Sequence, residues 1–156
     1  MTLTELKGLI QDYLQNTETT FVNNLNEIIK TVEERIFEDV QFDNFRKTST
    51  LTFTAGNKIL TTPTDFVLAF SLAVIDSNSD YHYLDKKHPS FMQEFTVDPS
   101  DVSLRGLPKY YGDFSKQLGG SSLVVAPVPD QNYSVELNYL FKPNSLVTDT
   151  TGTWIS

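Results

Sequence analysis

The period of the hydrophobic pattern changes once along this chain, and that change constrains the fold more than any other feature. From Phe21 to Val40, apolar residues recur at helical spacing for about five turns. After Arg46 the period falls to two, and Leu51 and Phe53 alternate with threonines. A chain whose helices precede its strands is expected to form an α+β fold rather than a series of βαβ units.

Two helices are predicted before the change of period. The first is short and amphipathic, begins after Thr2 with a capping-box sequence that includes Glu5, and ends near Asn16. The second is long and amphipathic, and it is the clearest element of the chain. The adjacent acids Glu33 and Glu34 are assigned to its polar face, where solvated charge is expected.

The rest of the chain is predicted to be rich in antiparallel strands. Two hairpins are expected, turning at residues 55–58 (AGNK) and 127–132 (PVPDQN). The apolar run that begins at Phe66 indicates a buried strand, and residues 88–95 indicate a single helical turn. We therefore expect N-terminal helices over residues 1–46, followed by an antiparallel β-sheet or β-sandwich over residues 47–156. Together they would form one domain, or a core with a helical appendage.

Composition excludes several classes of function. Twenty acids against twelve bases give a net charge of -8, which disfavours binding that depends on neutralising phosphates. The absence of cysteine excludes disulfides, cysteine nucleophiles and thiolate metal sites. No segment approaches the roughly 20 apolar residues that span a bilayer. A soluble chain without a membrane partner or sequence-specific nucleic-acid binding is expected.

Residues that could support catalysis or metal binding do not form a recognisable pattern. His82 and His88 lie six positions apart with Asp85 between them, but a third neutral donor is lacking. There is no GxSxG sequence, and residues 117–122 (QLGGSS) lack the lysine of a phosphate-binding loop. We therefore predict that the protein is not an enzyme and has no catalytic residue, metal ion or cofactor.

The aromatic residues leave a second kind of function open. Packing in a core or on a sheet face is the favoured interpretation of Tyr81, Tyr83, Tyr110, Tyr111 and Phe114. The same side chains could stack on sugars, as in a small carbohydrate- or receptor-binding β module. A hydrolase with an unrecognised site is a third and weaker alternative.

An ordered set of short motifs, covering nearly the whole chain, resembles the head-to-tail adaptor (connector) proteins of tailed bacteriophages. The motifs are VEERIFEDV (32–40), TLTFTAGNKILTTPTDFVLAFSLAV (50–74), GLPKYYG (106–112), LVVAPVPDQNYSVELNYLFKPNSL (123–146) and TGTWIS (151–156). The matching residues are Glu33, Arg35, Ile36, Pro63, Asp65, Phe66, Gly106, Pro108, Tyr110, Tyr111, Pro127, Pro129, Asp130, Tyr133, Glu136, Tyr139 and Trp154. The chain departs from the family pattern at Thr62, where the family has leucine, and at Ser156, beyond which family members usually continue into further helices.

The resemblance implies a non-enzymatic structural protein of the virion, assembled in the host cytoplasm and located in the neck between capsid and tail. It implies a homo-oligomeric ring of twelve copies below the portal protein that continues the DNA channel. Its partners would be the portal and the tail tube, nozzle or tail fibre proteins, and duplex DNA would pass through without specific binding. From the helical stripe and the terminal motif, the expected interface residues are Phe21, Leu25, Ile29, Arg35 and Trp154.

Overall fold

A computed structural model describes residues 2–40, 45–115, 121–148 and 154 of the chain. The helices are α1 (Leu3–Leu14), α2 (Thr19–Asp39) and α3 (Pro89–Phe95), and a 3-10 turn covers Val102–Leu104. The strands are β1 (Arg46–Phe53), β2 (Ile59–Thr61), β3 (Phe66–Ile75), β4 (Tyr81–Tyr83), β5 (Asp85–Lys86), β6 (Tyr110–Ser115), β7 (Ser122–Ala126) and β8 (Tyr133–Phe141). The predicted α+β fold, with two N-terminal helices followed by strands, is confirmed.

The chain divides into two compact units. Residues 1–44 and 142–156 form the first, here named the helical unit, which contains α1, α2 and the C-terminal segment. Residues 45–141 form the second, named the sandwich unit, which contains α3 and the strands. The first unit is therefore built from both ends of the sequence.

Local hydrogen bonds and backbone conformation set the two ends of α1 in the helical unit. The predicted capping box is present, since Thr2 N–H donates to Glu5 Oε2 at 2.7 Å and Glu5 N–H donates to Thr2 Oγ1 at 3.2 Å. α1 stops at Leu14 because Gln15 adopts a left-handed conformation with φ 48°. None of the residues of α1 is buried. On the apolar side of α1, Leu9, Tyr13 and Leu14 are exposed, and Leu3, Leu6 and Ile10 are half-buried.

The strands of the sandwich unit form two four-stranded sheets. The first has the order β1-β8-β3-β4 and is antiparallel, whereas the second has the order β2-β7-β6-β5 with β5 parallel to β6. Both sheets contribute to one core, in which Phe53, Leu72 and Leu137 of the first sheet pack with Tyr111 and Val125 of the second. The architecture is a β-sandwich, as the alternating apolar pattern predicts.

The two predicted hairpins are wrong, although their strands are present. β1 and β2 lie in different sheets, and so do β7 and β8. β8 pairs instead with β1 and β3, and β7 pairs with β2 and β6. The segment between β7 and β8 contains Pro127 and Pro129, which have no N–H to donate to a hairpin ladder. It crosses from one sheet to the other and does not join neighbouring strands.

One end of the sandwich is built from three connections that are hydrogen-bonded to each other, at residues 54–58, 105–109 and 126–132. Gly56 N–H donates to Pro129 O at 2.8 Å, and Gly106 N–H donates to Val128 O at 2.9 Å. Gly56 has φ 75°, a left-handed conformation in which glycine is unstrained. Two loops are thus bonded through their backbones to the proline-rich connection.

The short helix α3 covers the outer side of the second sheet, and the helical turn predicted there is confirmed. Met92 is buried with Val124 and Ala126 of β7. The rings of Phe91 and Phe95 lie edge-on to the ring of Tyr110, at 5.1 and 5.2 Å between centroids. The second sheet is therefore apolar on both sides, which explains the near-continuous apolar sequence of β7.

Candidate functional site

A buried carboxylate on α2 holds the C-terminal segment of the helical unit. Glu33 is only 4% exposed. Its Oε1 accepts hydrogen bonds from Leu146 N–H at 2.9 Å and from Trp154 Nε1–H at 2.8 Å, and its Oε2 accepts one from Ser145 Oγ–H at 2.6 Å. Three donors thus replace the water that the carboxylate loses on burial.

The sequence-based prediction that Glu33 is solvated is therefore wrong. Leu25, Ile29 and Glu33 follow each other at intervals of four residues, and all three are buried. Positions at that spacing share one face of a helix, so Glu33 continues the apolar stripe. The spacing can be read from the sequence, whereas the hydrogen bonds from Ser145, Leu146 and Trp154 cannot.

Trp154 has a second contact in the helical unit. Its ring lies 4.8 Å from the ring of Phe37 between centroids, inclined by 49°. Lys142 Nζ lies 3.6 Å from Glu34 Oε1, where both side chains are largely exposed. Trp154 of the terminal motif therefore contacts the helix motif that contains Glu33.

The structure separates the five predicted interface residues into three groups. Leu25 and Ile29 are buried within the chain. Phe21 and Trp154 are half-buried. Arg35 is exposed, with its Nε 3.9 Å from Asp39 Oδ2. Their role in contacts between subunits stays a prediction. Arg35 is accessible to a neighbouring subunit as the chain is folded, whereas Leu25 and Ile29 are not.

Both long helices present further apolar side chains to solvent. On α2 these are Ile28, Val32 and, just after its last turn, Val40. On α1, Tyr13 is 90% exposed and Leu9 is 58% exposed. Leu9, Ile10, Tyr13 and Leu14 form an open apolar patch on α1, beside the carboxylate of Asp12. Large contiguous apolar patches are uncommon on the surfaces of soluble monomers and are found mainly at interaction sites.

In the sandwich unit, the acid of the strand-start motif links three strands at the edge of the core. Asp65 Oδ1 accepts a hydrogen bond from Tyr139 Oη–H at 2.9 Å, and Asp65 Oδ2 lies 2.9 Å from Lys47 Nζ. Burial would raise the pKa of Asp65, but the hydrogen bonds from Lys47 and Tyr139 outweigh it and hold this pKa below its ordinary value. This cluster is a structural tie between β1, the start of β3 and β8.

The two histidines are used separately. His82 Nε2 lies 2.9 Å from Asp76 Oδ2, and His88 Nδ1 lies 2.9 Å from Ser90 Oγ at the start of α3. Among the described residues, no His, Cys, Asp or Glu side chains are grouped as a metal ion would require. No helix in the described ranges is both long enough and apolar enough to cross a membrane.

The predicted core position of the aromatic residues holds for some and not for others. Tyr111 is buried and Tyr110 packs under α3. Tyr81, Tyr83 and Phe114 are exposed. Tyr81 and Tyr83 are stacked with 6.4 Å between ring centroids, at the end of the first sheet. These two rings are the observation that favours the carbohydrate-binding alternative.

A comparison with known families was made over the full sequence. A model of the family described as SU10 adaptor protein matches residues 1–156. No curated protein matches the chain. The family match includes both the helical unit and the sandwich unit, together with the motifs that place Glu33, Asp65 and Trp154.

Proposed function

Since the chain belongs to the SU10 adaptor protein family, a family of bacteriophage head-to-tail adaptors, we propose that it forms a ring in the neck of the virion. The ring would consist of twelve copies, assemble in the host cytoplasm and sit below the portal protein. It would continue the DNA channel and offer the surface on which tail tube, nozzle or tail fibre proteins assemble. No catalytic step belongs to this function.

The observation that carries the proposal, beyond family membership, is the exposed apolar surface of the helical unit. Ile28 and Val32 lie on one face of α2, and Leu9, Tyr13 and Leu14 lie along α1. Stable contacts between subunits bury on the order of 1,000 Å² or more, and their centres are apolar. Two helices with exposed apolar faces supply the kind of surface that such contacts need.

The charge of the chain supports the proposed relation to DNA. A net charge of -8 keeps a polyanion from adhering to the surface. A channel through which a genome must move at high speed benefits from such a wall, since tight phosphate contacts would hold the DNA in place.

The carbohydrate-binding alternative is supported by Tyr81 and Tyr83 alone. The hydroxyl of Tyr81 already donates to Glu136 Oε2 at 3.4 Å, which gives this ring a role within the sheet. Family membership favours the adaptor.

The experiment that tests the proposal measures particle mass and shape for the purified chain, with and without the portal protein of the same phage. Val32→Asp places a charge on the exposed apolar face of α2. Asn23→Asp adds the same charge on the opposite side of that helix and serves as the matched control. Rings are expected from the wild type and from Asn23→Asp, and not from Val32→Asp, with equal circular dichroism for all three. A wild-type chain that stays monomeric in both conditions would contradict the proposal.

A further inference from the structure

An exposed loop of the sandwich unit has the composition of a docking element. We define it as residues 97–105, which follow α3 and include the 3-10 turn. Val97, Val102 and Leu104 are 84%, 70% and 51% exposed. Arg105 comes directly after them. Arginine is enriched at protein interfaces, and the exposed aliphatic side chains beside it supply the apolar surface that the centre of an interface buries.

The loop is held in one conformation by its own polar residues. Asp98 Oδ1 accepts hydrogen bonds from Ser100 N–H at 2.9 Å and from Ser100 Oγ–H at 2.6 Å. Asp101 Oδ1 accepts from Ser103 N–H at 2.8 Å and from Ser103 Oγ–H at 2.7 Å. The apolar side chains are therefore displayed by an ordered backbone, and little conformational entropy is lost when they bind.

Arg105 lacks the partner that a half-buried guanidinium requires. Its Nε is buried and has no hydrogen-bond partner among the described residues, and no ion pair involves this side chain there. The guanidinium lies across Gly56, where an added Cβ would come within 3.1 Å of Nη1. Because Nε is enclosed within its own copy, a partner can reach only the terminal Nη groups, and a carboxylate is the acceptor that fits this pair of amino groups.

The apolar patch on α1 offers the complementary surface. It combines an apolar lining of Leu9, Ile10, Tyr13 and Leu14 with the exposed carboxylate of Asp12. In the described part of the chain, the Asp12 side chain makes neither a hydrogen bond nor an ion pair. One surface thus has an exposed acid beside an apolar patch, and the other has a half-buried arginine beside exposed aliphatic residues.

We propose that the loop of one copy docks on α1 of a neighbouring copy, with Arg105 facing Asp12 and with Val102 and Leu104 packing on the apolar patch. The inference rests on the proposed function, for which it supplies an interface. Because the two surfaces are different patches of the same chain, the contact is heterologous. Repetition of a heterologous contact around a rotation axis closes a ring.

The test is a charge exchange between the two positions. Arg105→Glu and Asp12→Arg each place like charges opposite each other, and each is expected to weaken ring assembly at least tenfold in the protein concentration required. The double variant restores opposite charges and is expected to recover rings. Lys109→Glu makes the same charge change at an exposed lysine close in sequence, and is expected to assemble as the wild type does. Mass photometry measures assembly, and circular dichroism verifies that each variant is folded.

The inference is overturned if either single variant assembles normally, or if the double variant is no better than the single ones. It is also overturned if the single variants form normal rings but no longer bind a tail protein, which would make the loop a contact to the tail. If Arg105→Glu fails to fold, Leu104→Asp replaces it, since Leu104 is exposed and its substitution should block assembly without unfolding. A wild-type chain that forms no ring alone or with portal would instead contradict the proposed function.

Discussion

Substitution of Glu33 is the sharpest test of how the two ends of the chain are joined in the helical unit. Glu33→Ala removes the acceptor of three hydrogen bonds and leaves the buried N–H of Leu146 without a partner. An unsatisfied buried donor costs about 1–3 kcal/mol, and each of the two side-chain hydrogen bonds contributes about 0.5–3 kcal/mol. Removal of the carboxylate also removes its desolvation cost, which offsets part of this loss. We expect a net destabilisation of about 2–4 kcal/mol.

Two further variants separate hydrogen bonding from charge. Glu33→Gln keeps an acceptor for Leu146 and Trp154 and places an NH₂ group toward Ser145 Oγ, so a loss of about 0.5–1.5 kcal/mol is expected. Glu34→Ala is the matched control at the next residue, where only an exposed ion pair with Lys142 is lost. Such pairs contribute about 0–1 kcal/mol.

The assay uses the single tryptophan of the chain as a local reporter. Trp154 donates to Glu33, so Glu33→Ala should shift its fluorescence to longer wavelength and increase its quenching by acrylamide, whereas Glu34→Ala should do neither. Urea unfolding followed at Trp154 gives the change in free energy. If Glu33→Ala and Glu34→Ala have the same midpoint and the same emission, the buried carboxylate does not hold the C-terminal segment, and this reasoning is refuted.

Three other predictions concern the sandwich unit and the surface. The folded-state pKa of Asp65 is below its usual value, so ionised Asp65 stabilises the fold above about pH 4, and this contribution is lost as pH falls through the folded pKa. In Asp65→Asn, the free energy of unfolding should therefore decline less steeply as the pH is lowered through that range. Gly112→Ala should lower the free energy of unfolding in urea by about 1–3 kcal/mol, because the added Cβ would lie 2.6 Å from Lys87 O. Gly8→Ala should raise it by about 0.5–1 kcal/mol, because Gly8 lies in a helix and its added Cβ would have no atom within 4 Å. Filter retention of duplex DNA at physiological salt should be absent, and retention that weakens steeply with added salt would show a phosphate-binding surface.

Local sequence pattern was sufficient to identify most elements but not their partners. The helical spacing from Phe21 to Val40 corresponds to α2, and the alternation from Tyr133 to Tyr139 corresponds to β8. Strand pairing could not be predicted from local pattern, because paired residues such as Phe53 and Tyr133 of the first sheet lie far apart in the sequence. Turn chemistry at residues 55–58 and 127–132 shows that the chain changes direction, and it carries no information about which sheet receives the next strand.

The candidate site was less accessible to sequence reasoning than the fold. A charged residue on a helix is solvated in most proteins, so Glu33 was assigned to the polar face on residue type even though its spacing from Ile29 indicates the buried one. Arg105 has no sequence signal, because its significance depends on the absence of a partner in the folded loop cluster. Exposure of Leu9 and Tyr13 also depends on tertiary structure, since the same amphipathic pattern is found in helices that are covered.

The motif acids that carry the family resemblance act within the chain. Glu33 binds the C-terminal segment, Asp65 binds Tyr139, and Asp130 Oδ1 accepts a hydrogen bond from Tyr133 Oη–H at 2.8 Å. Their hydrogen bonds stabilise the folded chain, so these acids do not themselves specify which surface meets a neighbour.

Exposed residues that do not stabilise the fold, such as Asp12, are therefore places where subunit recognition is to be sought, together with Arg105 and the exposed motif residue Arg35. Residues that stabilise the fold and residues of the proposed contact can be distinguished by different measurements. Substitution of Glu33 or Asp65 should lower the unfolding free energy of the isolated chain, whereas substitution of Arg105 or Asp12 should leave that chain folded and change only the assembly. If substitution of Arg105 or Asp12 unfolds the chain, or if substitution of Glu33 or Asp65 prevents assembly without lowering the unfolding free energy, the same residues serve both folding and ring contacts.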